Sequence, residues 1–139
     1  MPVIKIYGLP KKMNGQSFKR ELRCAVTSIK ELELTDREVT IFFPSDMMPR
    51  SGEEIVVFIE GLFVKPRRTK GVRNRLAQVL GETIDERFSN ALIEVFVQPF
   101  NPAQGFWTSG PKAPANVYRA VRQFERQFPR ASFECLDHH

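Results

Sequence analysis

Apolar residues in the first part of the chain follow a strand pattern, then a helix pattern, then a strand pattern again. Val3–Tyr7 is a short run rich in β-branched residues, which predicts a strand. Asn14 is a suitable cap for a following helix, and residues 39–43 predict a second strand that Pro44 ends. The helix between the strands is predicted from apolar residues at spacings of three and four: Phe18, Leu22, Ala25, Val26 and Ile29.

The same order of elements occurs a second time. Residues 55–59 predict a strand, residues 92–97 predict another, and Pro99 follows the last strand as Pro44 follows the second. Helical spacing between them is kept by six apolar residues: Val72, Leu76, Val79, Leu80, Ile84 and Phe88. Because order and spacing repeat, we expect two tandem β-α-β units, at about 2–50 and 51–100.

These units predict the fold class. A strand-helix-strand crossover places its two strands parallel in one sheet, so we expect an α+β domain over residues 1–100, with a four-stranded mixed sheet and two helices on one face. Residues 115–128 hold apolar residues at helical spacing and predict a C-terminal helix. We expect residues 101–139 to form a loop and helix extension that packs on this domain or on a neighbouring subunit.

The predicted strands are apolar on both faces, as residues 55–59 (Ile-Val-Val-Phe-Ile) illustrate. Two helices cover only one face of a sheet, and one C-terminal helix is too narrow to shield four strands. Strands that are apolar on both sides are typical of sheets buried on both sides. We therefore expect a homo-oligomer in which the second face is buried against other subunits.

Composition narrows the classes of function. The 139 residues carry a formal net charge of +5, which favours anionic partners. The only histidines are His138 and His139, and neither a Gly-x-Gly-x-x-Gly nor a Gly-x4-Gly-Lys-Ser/Thr loop occurs. We therefore expect no metal site and no cofactor. The longest charge-free run is rich in proline and polar residues, and no leader pattern opens the sequence, so we expect no membrane association and a cytoplasmic location.

The first candidate for chemistry is Pro2, which directly precedes the first predicted strand. A proline at position two favours removal of the initiator Met1, which would leave a free secondary amine at the edge of the sheet. Such an amine is both a base and a nucleophile, and burial or nearby cations disfavour its protonated form. Many chains begin Met-Pro for reasons unrelated to catalysis, so this feature alone predicts little.

The second candidate is a basic cluster, residues 65–75, that opens the second predicted helix and contains no acid. An arginine at a helix start can bind a carboxylate with two parallel hydrogen bonds. Arg67 and Arg68 are the predicted substrate-binding residues, with Arg73 as a further one. For Lys70 and Arg75 a solvated basic surface is the favoured interpretation.

The third candidate is the loop after the last strand, where Phe106 and Trp107 are adjacent. Such an aromatic pair could line a small substrate pocket or pack an interface. Both interpretations stay open.

Taken together, Pro2 in Met1-Pro2-Val3-Ile4, the doubled unit, and residues 58–62 leading to Arg67 resemble the tautomerase superfamily. The resemblance covers residues 2 to about 100, and residues 58–78 are similar to the family's dehalogenase branch. It implies an MIF-like fold, usually a homotrimer, in which the amino-terminal proline is the catalytic group. It also implies that Arg67 binds the carboxylate of a small anionic substrate.

The resemblance has departures. Val64 stands where the dehalogenase branch has a second arginine, and the first helix lacks its histidine, so hydrolytic dehalogenation is not implied. Where short tautomerases place an arginine after the first strand, this chain offers Lys11 or Lys12. The resemblance therefore favours an isomerase, with decarboxylase or hydratase branches open. It implies that Pro2 moves a proton next to a carbonyl.

Two other functions remain open at this stage. A non-catalytic basic oligomer could bind nucleic acid or another polyanion through the basic cluster. No aromatic residues interleave with these cations, as they do in single-strand binders, so nucleic acid is not the expected partner. An inactive tautomerase-fold subunit would serve assembly alone, and the intact Pro2 argues against it.

Overall fold

Two strand-helix-strand units follow one another along the chain, as the apolar pattern predicts. The computed structural model describes residues 1–45 and 52–106. Met1–Gln104 forms one unit and Gly105–His139 a second. The predicted C-terminal helix and Trp107 lie outside the described residues. The elements of the first unit are β1 (Val3–Tyr7), α1 (Gly15–Thr27), β2 (Thr40–Phe42), β3 (Glu54–Phe63), α2 (Lys70–Arg87) and β4 (Leu92–Phe100).

The four strands form one mixed sheet in the order β2-β1-β3-β4. Within each unit the two strands are parallel, whereas β1 and β3 pair antiparallel at the centre of the sheet. Two 3-10 turns, Lys30–Leu32 and Asp36–Glu38, connect α1 to β2. This α+β architecture with two helices confirms the predicted fold class.

Each of the two helices begins directly after a residue whose side chain caps its first turn. Asn14 Oδ1 accepts a hydrogen bond from the Ser17 N–H at 3.1 Å, as predicted. Thr69 Oγ1 accepts one from the Val72 N–H at 3.2 Å, so α2 starts after Arg67 and Arg68 rather than at them. The predicted apolar faces form a single core with one face of the sheet. Its helical members are Phe18, Leu22, Val26, Leu76, Leu80 and Ile84.

The β3 strand is longer than predicted and is irregular near its end. Its pairing with β4 shifts register between Ile59 and Leu62, which marks a bulge. Gly61 lies there with φ of 68°, and a Cβ atom on it would be 3.1 Å from the Met1 carbonyl oxygen. Both the positive φ and this close approach favour glycine. The bulge therefore lets the amino terminus lie directly against β3.

The prediction that Pro99 follows the last strand is wrong. Strand β4 continues to Phe100, and Pro99 pairs with Leu62 inside it. Proline cannot donate a ladder hydrogen bond, but β4 is an edge strand, where one side of the backbone needs no partner.

The two faces of the sheet differ in exposure. Ile4, Ile59 and Val57 are fully buried under the helices. The opposite face, here called the outer face, carries a row of aromatic rings in which Phe58 stacks on Phe96 at 5.7 Å and meets Tyr7 edge-on at 6.0 Å. Phe42 and Phe96 remain 51% and 47% exposed. The outer face is thus the apolar surface that two helices leave uncovered. Among the described residues, neither helix is long and apolar enough to cross a membrane.

Candidate active site

Three elements meet where the chain begins. Val3 pairs with Glu60 across the antiparallel β1–β3 ladder, so Met1 and Pro2 lie beside the end of β3. The Pro2 carbonyl oxygen accepts a hydrogen bond from the Thr40 N–H at 3.1 Å, which fixes the start of β2 on the other side. We call the region formed by residues 1–2, 65–68 and Glu38 the N-terminal corner.

The N-terminal corner lowers the basicity of the amine at the chain start. Pro2 is buried, whereas Met1 is 61% exposed. Burial lowers the pKa of the Met1 amine below its ordinary value of 8.0, and the positive charge of Arg68 lowers it further. The Glu38 carboxylate raises this pKa and Lys65 lowers it. Burial and a cation both disfavour the ammonium form, and here they outweigh one carboxylate.

Arg68 is the buried cation of the corner, with 4% of its surface exposed. Its Nε and Nη2 donate to the Leu32 carbonyl oxygen at 2.9 and 2.6 Å, and its Nη1 donates to the Phe63 carbonyl oxygen at 2.9 Å. Burial lowers the pKa of this guanidinium, yet arginine stays charged at any physiological pH. Arg68 therefore supplies a fixed positive charge held by backbone oxygens.

Arg67 lies in a different environment from its neighbour. Its Nη1 donates to Glu33 Oε1 at 2.6 Å, and the two side chains are 62% and 44% exposed. The predicted carboxylate-binding residue therefore already holds a carboxylate of the same chain. The charges that act on the Met1 amine are those of Arg68, Glu38 and Lys65, and Arg67 is not among them.

The other two arginines of the basic cluster, Arg73 and Arg75, also have partners. Arg73 Nη1 donates to the Arg68 carbonyl oxygen at 2.7 Å and so supports the turn before α2. Arg75 Nη2 pairs with Glu31 Oε2 at 2.5 Å. Four arginines of the cluster thus bind carboxylates or backbone carbonyls. These partners disfavour binding of nucleic-acid phosphates by the cluster, which would need free cations.

The remaining predicted site residues lie elsewhere. Lys11 is exposed and follows the end of β1 that is opposite to Pro2. Phe106 is 91% exposed. Within residues 1–45 and 52–106, no group of acidic, histidine or cysteine side chains could hold a metal ion.

Two acidic residues at the site are not candidates from the sequence alone. Glu38 Oε2 accepts hydrogen bonds from the Thr35 N–H and hydroxyl at 2.8 and 2.9 Å, which holds the pKa of that carboxyl below its usual range. Its signal was the Thr35-x-x-Glu38 capping-box pattern. Glu33 had no sequence signal, since its partner Arg67 is 34 residues away.

The fold is similar to that of solved structures over about four fifths of the chain or more. The fused 4-OT wild type asymmetric trimer F6 aligns with a TM-score of 0.56 at 18% identity, covering 86% of this chain and 98% of that one. The macrophage migration inhibitory factor of Toxoplasma gondii aligns with a TM-score of 0.53 at 14% identity, covering 79% and 97%. Pt0534 inactivated by 2-oxo-3-pentynoate aligns with a TM-score of 0.53 at 16% identity, covering 80% and 96%.

The chain has the tautomerase-superfamily fold. No protein-family model matches the sequence, and comparison with curated proteins gives no match. In this tautomerase fold the N-terminal corner lies where β1 of the first unit meets the end of β3 of the second. The antiparallel pairing of the two units therefore joins Pro2 to the turn that carries Arg67 and Arg68.

Proposed function

We propose that this protein is a tautomerase-type enzyme in which Pro2, freed by removal of Met1, is the general base and acid. Its substrate is a small carboxylate that carries a keto or enol group. The observation that carries the proposal is the environment of the N-terminal corner, where Pro2 is buried and where burial and the Arg68 charge lower the pKa of the terminal Met1 amine. The Pro2 amine would take that environment once Met1 is removed. A lowered pKa favours the unprotonated form of the amine, which is the form that a general base needs.

The proposed reaction moves one proton and changes no oxidation state. The Pro2 nitrogen takes a proton from the carbon next to the substrate carbonyl, and an enolate forms. The protonated proline then returns the proton to the other end of the conjugated system. The fixed positive charge of Arg68 stabilises the negative charge that develops on the substrate oxygen, because both lie in a partly buried site.

Arg67 binds the substrate carboxylate in this proposal. It is exposed, and a single exposed ion pair with Glu33 occupies it, so an incoming anion can reach it. Arg68 is less suited to that task because three of its N–H groups already bind backbone carbonyls. The structural neighbour Pt0534 is inactivated by 2-oxo-3-pentynoate, itself a 2-keto carboxylate, which supports this substrate class.

The proposed enzyme is a homotrimer that buries the outer face. That face exposes Phe42 and Phe96, and large contiguous apolar patches mark interaction surfaces. The fused 4-OT neighbours are trimers by their own description, which supports the same assembly here.

The proposal is tested in three measurements on the purified full chain. Intact-mass spectrometry should show that Met1 is absent. Absorbance assays should show turnover of phenylpyruvate or 2-hydroxymuconate, and Pro2→Ala should reduce kcat/KM at least about a hundredfold, as expected for loss of a general base. Pro10→Ala, a proline beyond the other end of β1, is the matched control and should retain activity. Retained Met1, or equal turnover by Pro2→Ala, would refute the mechanism.

A further inference from the structure

The carboxylate that occupies Arg67 comes from a strained position in the backbone. Glu33 follows the first 3-10 turn with φ of 54°, and among the described residues it is the one non-glycine with positive φ. A left-handed conformation is unfavourable for a residue that carries a side chain. The surrounding bonds must therefore hold Glu33 in place.

Those bonds do not depend on the ion pair with Arg67. The Glu33 N–H donates to the Lys30 carbonyl oxygen at 3.1 Å. The carbonyl oxygen of the preceding residue, Leu32, accepts hydrogen bonds from Nε and Nη2 of buried Arg68. Glu31, two residues before Glu33, pairs with Arg75. The backbone is thus fixed on both sides of Glu33, and its carboxylate is presented to Arg67 at little further entropic cost.

We infer that Glu33 lowers the affinity of the site for carboxylate substrates by competing with them for Arg67. This inference rests on the proposed role of Arg67. In the free protein the Glu33 carboxylate occupies the position that the substrate must take, and binding exchanges one carboxylate for the other. Exposed ion pairs are weak, so this competition should reduce the affinity for a carboxylate about two- to fivefold.

Direct binding tests this inference without requiring catalysis. The probe is 3-phenylpropanoate, a carboxylate that cannot enolise, titrated calorimetrically at low salt into the full chain. Glu33→Gln should lower its Kd about two- to fivefold, and the gain should shrink at 0.5 M salt because screening weakens exposed charge pairs. Glu33→Asn removes the same carboxylate with a residue that tolerates positive φ, and it serves if Glu33→Gln folds poorly.

The matched control is Glu31→Gln, which removes a carboxylate from the same 3-10 turn but frees Arg75 instead of Arg67. Its carboxylate acts on Arg67 only through space, without an ion pair, so it should change the Kd less than Glu33→Gln does. The Glu33→Gln gain should vanish in an Arg67→Met background. If Glu33→Gln binds the probe no better than wild type, or if neither protein binds it, the inference is overturned. Weaker binding also overturns it, because Glu33 would then orient Arg67 for the substrate.

The failure of this inference is distinguishable from failure of the proposed function. If Glu33→Gln binds the probe more tightly but wild type turns over no 2-keto acid, competition by Glu33 is supported and the proposed enzymatic function is refuted. If Pro2→Ala loses turnover and Glu33→Gln leaves the Kd unchanged, the proposed enzymatic function is supported and competition by Glu33 is refuted.

Discussion

Arg68 donates two hydrogen bonds, from Nε at 2.9 Å and from Nη2 at 2.6 Å, to the carbonyl oxygen of Leu32, which precedes it by 36 residues. A third, from Nη1, goes to Phe63 at 2.9 Å. Leu32 belongs to the first β-α-β unit and Arg68 to the second, so one guanidinium joins the two units beside the chain start.

Replacing Arg68 should destabilise the fold far more than replacing its neighbour. Arg68→Met removes both Arg68 donors from the buried Leu32 carbonyl and breaks the bond to the Phe63 carbonyl, and we expect a loss of about 2–4 kcal/mol in the free energy of unfolding. Arg67→Met removes one exposed ion pair and should cost less than about 1 kcal/mol. Urea denaturation followed by circular dichroism measures both. Equal losses would show that the Arg68 bonds contribute little.

Arg67 and Arg75 form a matched pair for testing substrate binding. Both lie in the basic cluster and both pair with a carboxylate near the first 3-10 turn. Arg67→Met should raise KM for phenylpyruvate about tenfold or more, because a charge-assisted hydrogen bond to the substrate carboxylate is lost. Arg75→Met should change KM less than twofold. The reverse pattern would place the carboxylate at Arg75.

The charges around the amino terminus should shift its titration in opposite directions. Glu38 raises the pKa of the terminal Met1 amine and Lys65 lowers it, and in the proposed enzyme the same two charges would act on the Pro2 amine. Glu38→Gln should therefore lower this pKa further, and Lys65→Met should raise it. Because the unprotonated amine is the active form, activity is lost as pH falls through this pKa. The acid limb of kcat/KM should move to lower pH in Glu38→Gln and to higher pH in Lys65→Met.

Nitrogen-15 NMR of the labelled terminal amine measures the same pKa directly. Lys70→Met is the control, since Lys70 is not among the charges that act on this amine. Shifts of the same sign in Glu38→Gln and Lys65→Met would contradict the assignment.

Two glycines should respond oppositely to alanine. Gly8 has φ of 90°, and a Cβ atom there would lie 1.9 Å from the Glu54 carbonyl oxygen. Gly8→Ala should cost about 3 kcal/mol or more, since backbone must move. Gly81 lies inside α2, where a Cβ atom meets Val95 at an ordinary 3.7 Å. Gly81→Ala should stabilise by about 0.5–1 kcal/mol, as thermal melting would show.

The outer face should control assembly. Phe96→Asp places a charge on the exposed aromatic row, and we expect the proposed trimer to dissociate into monomers at micromolar concentration, because an unpaired charge is costly to bury. Sedimentation velocity measures the mass. Gln78→Asp, on the exposed side of α2, makes the same charge change elsewhere and should leave the trimer intact. A monomeric wild type would refute the assembly.

The limits of prediction from sequence are visible at the strand ends. The order of elements, the Asn14 cap and the core residues of both helices followed from local periodicity, because burial of an amphipathic face depends on spacing along the chain. The bulge at Gly61 and the extension of β4 through Pro99 did not. Both depend on which strand lies alongside, and local sequence does not encode the neighbour.

The candidate site also has features that the sequence predicts and features that only the tertiary structure shows. The sequence by itself identified Pro2 and a basic cluster containing Arg67 and Arg68 as residues of interest, since residue type and position carry that information. Only the tertiary structure decided that Arg68 is buried on backbone carbonyls, that Arg67 is held by Glu33, and that Glu38 acts on the chain start. These roles depend on partners more than 30 residues apart, which the pairing of β1 with β2 on one side and with β3 on the other brings together.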